Sequence, residues 1–191
     1  MRVRLESIGC RLNIGEIEAL ARELAGRGCR IVGPGEDADL CVFNSCTVTA
    51  TASRKSRQVL RQLRRSQPDA KLVATGCYSE LSPAEVKALG VDLVIPNRDK
   101  DRIVELLDTA RLLCTDDFTP ARVPGPHPDD TGTRTRAFVK VQDGCDNRCT
   151  FCVVTIARGP GRSRPPSDVI DEIETLIGLG HREVILSGVH L

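Results

Sequence analysis

A chain of 191 residues with 40% hydrophobic and 28% charged residues has the make-up of a folded globular protein, with interior enough for one large domain or for one domain and part of another. Its formal net charge of +1 gives no global attraction to nucleic acid or membrane, so any polyanion contact has to come from a local patch. With no basic-then-apolar leader and no run of about eighteen apolar residues, the expectation is a cytoplasmic protein with no membrane partner, in which nine cysteines, an odd number, point to metal or redox chemistry rather than to disulfides.

In chain order, "VRLESIGC" reads as a strand ending at a Gly-Cys turn, and "IGEIEALARELAGRG" carries apolar residues at helical spacing up to Gly28. "ADLCVFNSC" is a second strand, "TASRKSRQVLRQLRRSQ" a second helix ended by Pro68, and "KLVATGC" a third strand. "SPAEVKALG" starts with Ser82 as N-cap and Pro83 at the first helical position; "DLVIPN" is a fourth strand and "DKDRIVELLDTARLL" a closing helix. This alternation predicts an α/β fold, an open doubly wound parallel sheet over residues 1–115. A stretch rich in proline and glycine over 116–135 reads as a linker. From 136 to 191, "RAFVKVQDGC" is a strand, "SDVIDEIETLIGLG" a helix capped by Ser167, and "EVILSGVHL" a further strand, the start of a second β/α unit.

The densest signal is "GCDNRCTFC", which places Cys145, Cys149 and Cys152 at C-x3-C-x2-C on the loop after a strand. A structural zinc site is a closed tetrahedron and wants a fourth ligand, yet His181 is the first Cys or His to follow. Three thiolates on a four-iron, four-sulfur cluster leave one iron open for a substrate or cofactor. The alternatives are a zinc knuckle or three unrelated cysteines. Cys10, Cys46 and Cys77 each fall just past the carboxyl end of a predicted strand, and in an open parallel sheet those ends face one crevice, so the three thiols are expected to converge. Cys29, Cys41 and Cys114 lie in or beside apolar segments and read as core residues.

"CDNRCTFC", with Phe151 before the last cysteine, resembles the cluster loop of the radical S-adenosylmethionine enzymes. "GCRLN", "NSCTVT", "TGCY" and "ARGPGRSR" narrow the likeness to the methylthiotransferases among them, over essentially the whole chain. The resemblance implies two 4Fe-4S clusters, an auxiliary one on Cys10, Cys46 and Cys77 and a radical one on Cys145, Cys149 and Cys152. It implies that one S-adenosylmethionine methylates a sulfur at the first and that another is cleaved at the second, giving a radical that opens an unactivated C–H bond to the methylated sulfur. It also implies a one-electron donor such as flavodoxin or ferredoxin, and Phe151, Gly188 and His190 near the S-adenosylmethionine, although His190 also reads as a frayed end. Within the family, "NSCTVT", "SRKSRQ", "ARGPGRSR" and "SGVHL" look most like the group that acts on threonylcarbamoyladenosine beside the tRNA anticodon. The other groups act on isopentenyladenosine in tRNA or on an aspartate of a ribosomal protein.

Two sets of arginines are candidate substrate contacts. Arg54, Arg57, Arg61 and Arg65 make a positive stripe on one helix, which could dock tRNA phosphates or be a solvated face. Arg158, Arg162 and Arg164 occupy a Gly-Pro loop after the second trio, where they could grip a carboxylate such as that of threonylcarbamoyl, or merely be solvated. Full members of the family continue through the rest of a (β/α) barrel into a small RNA-binding domain. The expectation is therefore that 136–191 is only the first part of a radical barrel, that its last strand has an unpaired edge, and that the chain alone is inactive. From another class, the rival is a non-catalytic iron-sulfur or zinc-binding module that scaffolds RNA.

Overall fold

The computed structural model describes residues 1–113 and 136–191; the expected linker over 116–135 and Cys114 lie outside them. In the N-terminal unit the apolar runs become β1 (Arg2–Ser7), β3 (Leu40–Ser45), β4 (Lys71–Gly76) and β5 (Leu93–Val94), separated by α1 (Arg11–Gly26), α2 (Ala50–Ser66) and the short helices α3 (Cys77–Leu81) and α4 (Pro83–Ala88). A three-residue edge strand, β2 (Arg30–Val32), was not expected from the sequence, because three residues show no periodicity. All pairings are parallel and the order is β2-β1-β3-β4-β5, so the chain reverses direction across the sheet between β1 and β3.

β3 is buried on both faces, as a central parallel strand is when helices cover both sides. Its Cys41 and Phe43 join Leu60 and Leu63 of α2 and Val86 of α4 in one core layer. Leu40 and Val42 point the other way, to Leu20 and Leu24 of α1 and to Leu107 of α5 (Ile103–Thr109). The predicted closing helix is in fact two pieces, a 3-10 turn over Asn97–Arg102 that follows the extended Pro96, and then α5. Pro83 opens α4 as expected, but Ser82 makes no side-chain cap bond. Thr49, whose hydroxyl accepts from Ala52 N at 3.1 Å, caps α2 instead.

The second unit pairs β6 (Arg136–Lys140) in parallel with β9 (Glu183–Ser187), from Arg136 opposite Glu183 to Lys140 opposite Ser187. The connecting α7 (Pro166–Gly178) covers one face, where Ala137, Val139 and Leu176 are buried. Ser167 does not cap this helix: Pro165 holds the cap position, and the Ser167 hydroxyl donates to Asp168 Oδ1. A small antiparallel pair, β7 (Gln142–Asp143) with β8 (Arg162–Ser163), brackets the cysteine loop and α6 (Val154–Arg158).

The units dock through α1 and β6. Gly15 lies so close to β6 that an added Cβ would stand 2.7 Å from Phe138 O, and Arg22 of α1 pairs with Glu172 of α7 at 2.6 Å.

Candidate iron-sulfur sites and the seam between them

Strand register brings the first trio together. Ser45 pairs with Gly76, so Cys46 and Cys77, the next residue of each strand, leave neighbouring strand ends side by side. Ser7 pairs with Asn44, and the turn after β1 carries Cys10 back over β3, where a Cβ on Gly9 would meet Cys46 Cβ at 2.8 Å and Sγ at 3.1 Å. Cys10 and Cys46 thus flank the β1/β3 reversal, the place where open α/β sheets bind ligands. Polar side chains fix this geometry. Asn13 Nδ2 donates to Ile8 O at 2.8 Å and to Ser45 O at 3.1 Å; the Ser56 hydroxyl accepts from Cys46 N at 3.2 Å and donates to Cys46 O at 2.7 Å. Gly76, at φ +96 with its Cα against Ser45, turns β4 directly into α3, so that Cys77 starts a helix.

All three thiols are free; Cys10 is exposed and the other two are buried. Burial pushes the Cys77 thiol up, against the opposing pull of Arg158 and Lys100. Among the described residues no three His, Cys, Asp or Glu side chains close tightly enough to hold one metal ion. A four-iron cage takes its thiolates from points set further apart than a single ion's shell. Three reduced thiols at adjoining strand ends, with polar cations nearby, fit the donor set such a cage needs.

The second trio is local. Cys145 N donates to Gly159 O at 3.0 Å, Cys152 N to Cys149 O at 3.0 Å, and the Thr155 hydroxyl to Asn147 O at 3.0 Å, so the loop is folded back on itself before α6 begins. Gly144 makes this fold feasible: at φ +70, a Cβ there would overlap Pro160 O. Cys149 is exposed and Cys145 and Cys152 are half-buried, while Phe151 is 91% exposed. Gln142 clips the loop to the segment after β9. Its Nε2 donates to Asp143 O and Gly144 O at 2.9 and 2.7 Å, and its Oε1 accepts from Val189 N and His190 N at 2.8 and 3.0 Å. Gly188 and the exposed His190 therefore sit beside the cysteine loop.

Between the trios runs a buried ionic seam that periodicity could not reveal. Glu16 of α1 meets Lys100 at 2.7 Å, Arg158 at 3.2 Å and Lys140 at 3.5 Å, and Arg158 also bonds Asp143 at 2.8 Å and Asn13 Oδ1 at 2.7 Å. Burial alone would raise the Glu16 carboxyl, but Lys100, Arg158 and Lys140 hold it well below the usual carboxylate range.

The arginine expectations divide. Arg54, Arg57, Arg61 and Arg65 do line one shallow surface hollow along α2, with Arg57 also 3.5 Å from Glu85 and over the Tyr78 ring. Arg158 is not presented on the loop surface: it is 4% exposed and paired with Glu16, Asp143 and Asn13. Arg164 is likewise committed, to Glu172 at 2.5 Å and to Lys140 O at 2.9 Å, because α7 packs its acids against the loop. Arg162 alone of the three remains exposed, beside the interdomain groove.

Two family models match. Residues 2–96 match the Uncharacterized protein family UPF0004 and residues 139–190 the Radical SAM superfamily, which gives the class: a radical S-adenosylmethionine protein with a distinct N-terminal sheet domain. The chain is 38% identical to a Bacillus subtilis protein and 34% identical to one of Thermotoga maritima, both named threonylcarbamoyladenosine tRNA methylthiotransferase MtaB. It is 35% identical to a Novosphingobium aromaticivorans protein named tRNA-2-methylthio-N(6)-dimethylallyladenosine synthase. These matches cover 98%, 99% and 97% of the chain but 43%, 44% and 43% of those relatives, so the chain spans less than half their length. The chain belongs to the radical S-adenosylmethionine methylthiotransferase family. No helix among the described residues is long and apolar enough to cross a membrane.

Proposed function

We propose that this chain carries the two cluster sites of a cytoplasmic tRNA methylthiotransferase whose substrate is threonylcarbamoyladenosine next to the anticodon. The carrying observation is that Cys10, Cys46 and Cys77, far apart in sequence, follow the ends of three neighbouring strands of one unit, while the unit docked on it presents Cys145, Cys149 and Cys152 on a single loop. The names of the relatives support tRNA as substrate, and those naming threonylcarbamoyladenosine include the 38% match.

When bound, two 4Fe-4S clusters and S-adenosylmethionine would supply one-electron C–S cleavage and a transferable methylated sulfur. The chain's own residues do the rest. Cys10, Cys46 and Cys77 would hold one cluster, and Cys145, Cys149 and Cys152 the other. Gln142 fixes the Gly188–His190 segment against the second trio's loop, so that these residues would line the S-adenosylmethionine site. α1, Gly15 and the Glu16 seam tie the unit of the first trio to the unit of the second. Arg54, Arg61 and Arg65 offer exposed cations to which tRNA phosphates would dock, and Arg162 offers an exposed cation beside the interdomain groove for a threonylcarbamoyl carboxylate.

Anaerobic reconstitution with iron and sulfide tests the sites: about eight irons and eight sulfides per chain are expected, falling to about four when either trio is changed to alanine. Zinc without sulfide would favour a non-catalytic RNA-binding module. Deleting the gene tests the substrate. Mass spectrometry of cellular tRNA should show threonylcarbamoyladenosine losing its methylthio group while isopentenyladenosine keeps its own; the opposite pattern would move the assignment to the isopentenyl group.

A further inference from the structure

We propose that Asn97 and Arg158 form a bridge across the seam that sets the reduction potential of the cluster held by Cys10, Cys46 and Cys77. The unit bearing the second trio thereby governs the redox state of the first. The inference rests on the two-cluster reading above and goes beyond it by assigning two residues that hold no iron.

Asn97 is 3% exposed and aims its amide at both units. Its Nδ2 stands 4.0 Å from Cys77 Sγ and donates its other hydrogen to Ala157 O in α6. Its Oδ1 is buried without a hydrogen-bond partner among the described residues, so the donors, not the acceptor, decide how the side chain is turned. The backbone N–H of Asn97 donates to Glu80 Oε2 at 2.8 Å, which anchors it to the helix that Cys77 begins. Arg158 follows Ala157 directly and carries a buried positive charge to the first trio: it donates at 2.7 Å to Asn13 Oδ1, the atom that stands 3.7 Å from Cys10 Sγ. Ala157 and Arg158 both descend from the loop of Cys145, Cys149 and Cys152, so moving that loop moves the anchor of a donor, and a cation, relative to the Cys77 sulfur.

Hydrogen bonds to cluster sulfurs, local charge and burial set iron-sulfur potentials. Reduction adds negative charge to the cage, and a donor or a cation beside a ligand sulfur stabilises that charge and raises the potential. Asn97 and Arg158 act as positioning and tuning residues. The remaining partners of Arg158, the Glu16 and Asp143 carboxylates, hold it in place.

The test uses this chain with Cys145, Cys149 and Cys152 changed to alanine, so that only the first trio can take iron, reconstituted with iron and sulfide and titrated with dithionite under EPR. Asn97→Ala and Arg158→Gln should each lower the reduced-to-oxidised ratio at a fixed poise about tenfold, equal to 59 mV for one electron. Arg22→Ala, which breaks the Arg22–Glu172 link of the same interface away from the cysteines, should leave the ratio unchanged. Because Arg158→Gln takes the guanidinium from two buried carboxylates, Asn97→Ala decides if that variant does not fold. Unshifted ratios in Asn97→Ala with normal iron content, or an equal shift in Arg22→Ala, would overturn the inference. Failure of the parent to bind iron and sulfide at all would instead overturn the two-cluster reading on which it stands.

Discussion

In the N-terminal unit three thiols come from the ends of three different strands and meet only when β1, β3 and β4 are in register; in the second unit three thiols come from one loop that hydrogen bonds to itself. The surroundings differ in the same sense. The first sheet is covered on both faces, with Phe43, Leu40 and Val42 fully buried, whereas the second unit leaves Leu186 of β9 and Ile170 and Ile177 of α7 exposed. A site assembled by tertiary structure inherits the stability of its whole domain. A site written into a local loop depends on the few residues that shape that loop.

The sharpest way to break this contrast is at the core. Phe43→Ala should cost about 3–5 kcal/mol in urea unfolding and strip iron from the first trio, while the Cys145 loop keeps its own. Loss of iron from both trios together would show that the second site also depends on the sheet.

The seam comes next. Glu16→Gln leaves Lys100 and Arg158 buried beside a neutral partner and should cost about 3 kcal/mol near pH 7. The folded-state acidity of Glu16 is strengthened, so its contribution is present above the unfolded carboxylate value of about 4.3 and fades as the pH falls below it. Denaturation midpoints followed from pH 7 to pH 2 should therefore converge for the wild type and Glu16→Gln; a gap independent of pH would mean that the ionic contacts contribute nothing.

Two glycines then separate the trios. Gly76→Ala, at φ +96 and with a Cβ that would overlap Ser45 O, should cost about 1–3 kcal/mol and reduce iron at the first trio only. Gly144→Ala, at φ +70 and against Pro160 O, should do the same at the second trio only. Iron analysis in backgrounds lacking the other trio reads out each. The smallest effect on folding is expected at the exposed stripe: Arg54→Ala, Arg61→Ala and Arg65→Ala should each change stability by less than about 0.5 kcal/mol. Each substitution removes one cation from the phosphates and should flatten the salt dependence of tRNA binding by about one.

Much of this was legible in the sequence. Apolar runs bounded by Gly and Pro mark the alternation of strands and helices, and the recurring Gly-Cys or Ser-Cys at strand ends marks the first trio. Short elements were not legible: β2 and α3 are too brief to show a period, and the split of the closing helix depends on how Asn97 packs between the units. Arg158 and Arg164 are less exposed than a linear reading suggests, for a single reason. A Gly-Pro loop rich in arginine reads as solvent-facing, and only docking against α1 and α7 provides the acids that bury or occupy those guanidinium groups.

By itself the sequence determined the two trios, because thiol spacing within a loop and thiol placement after strands are linear features of the chain. Only the tertiary structure decided what lies between them. Glu16, Asn97, Lys100 and Arg158 stand as ordinary polar residues along the sequence, and it is the burial of opposite charges where two units meet that makes them one network.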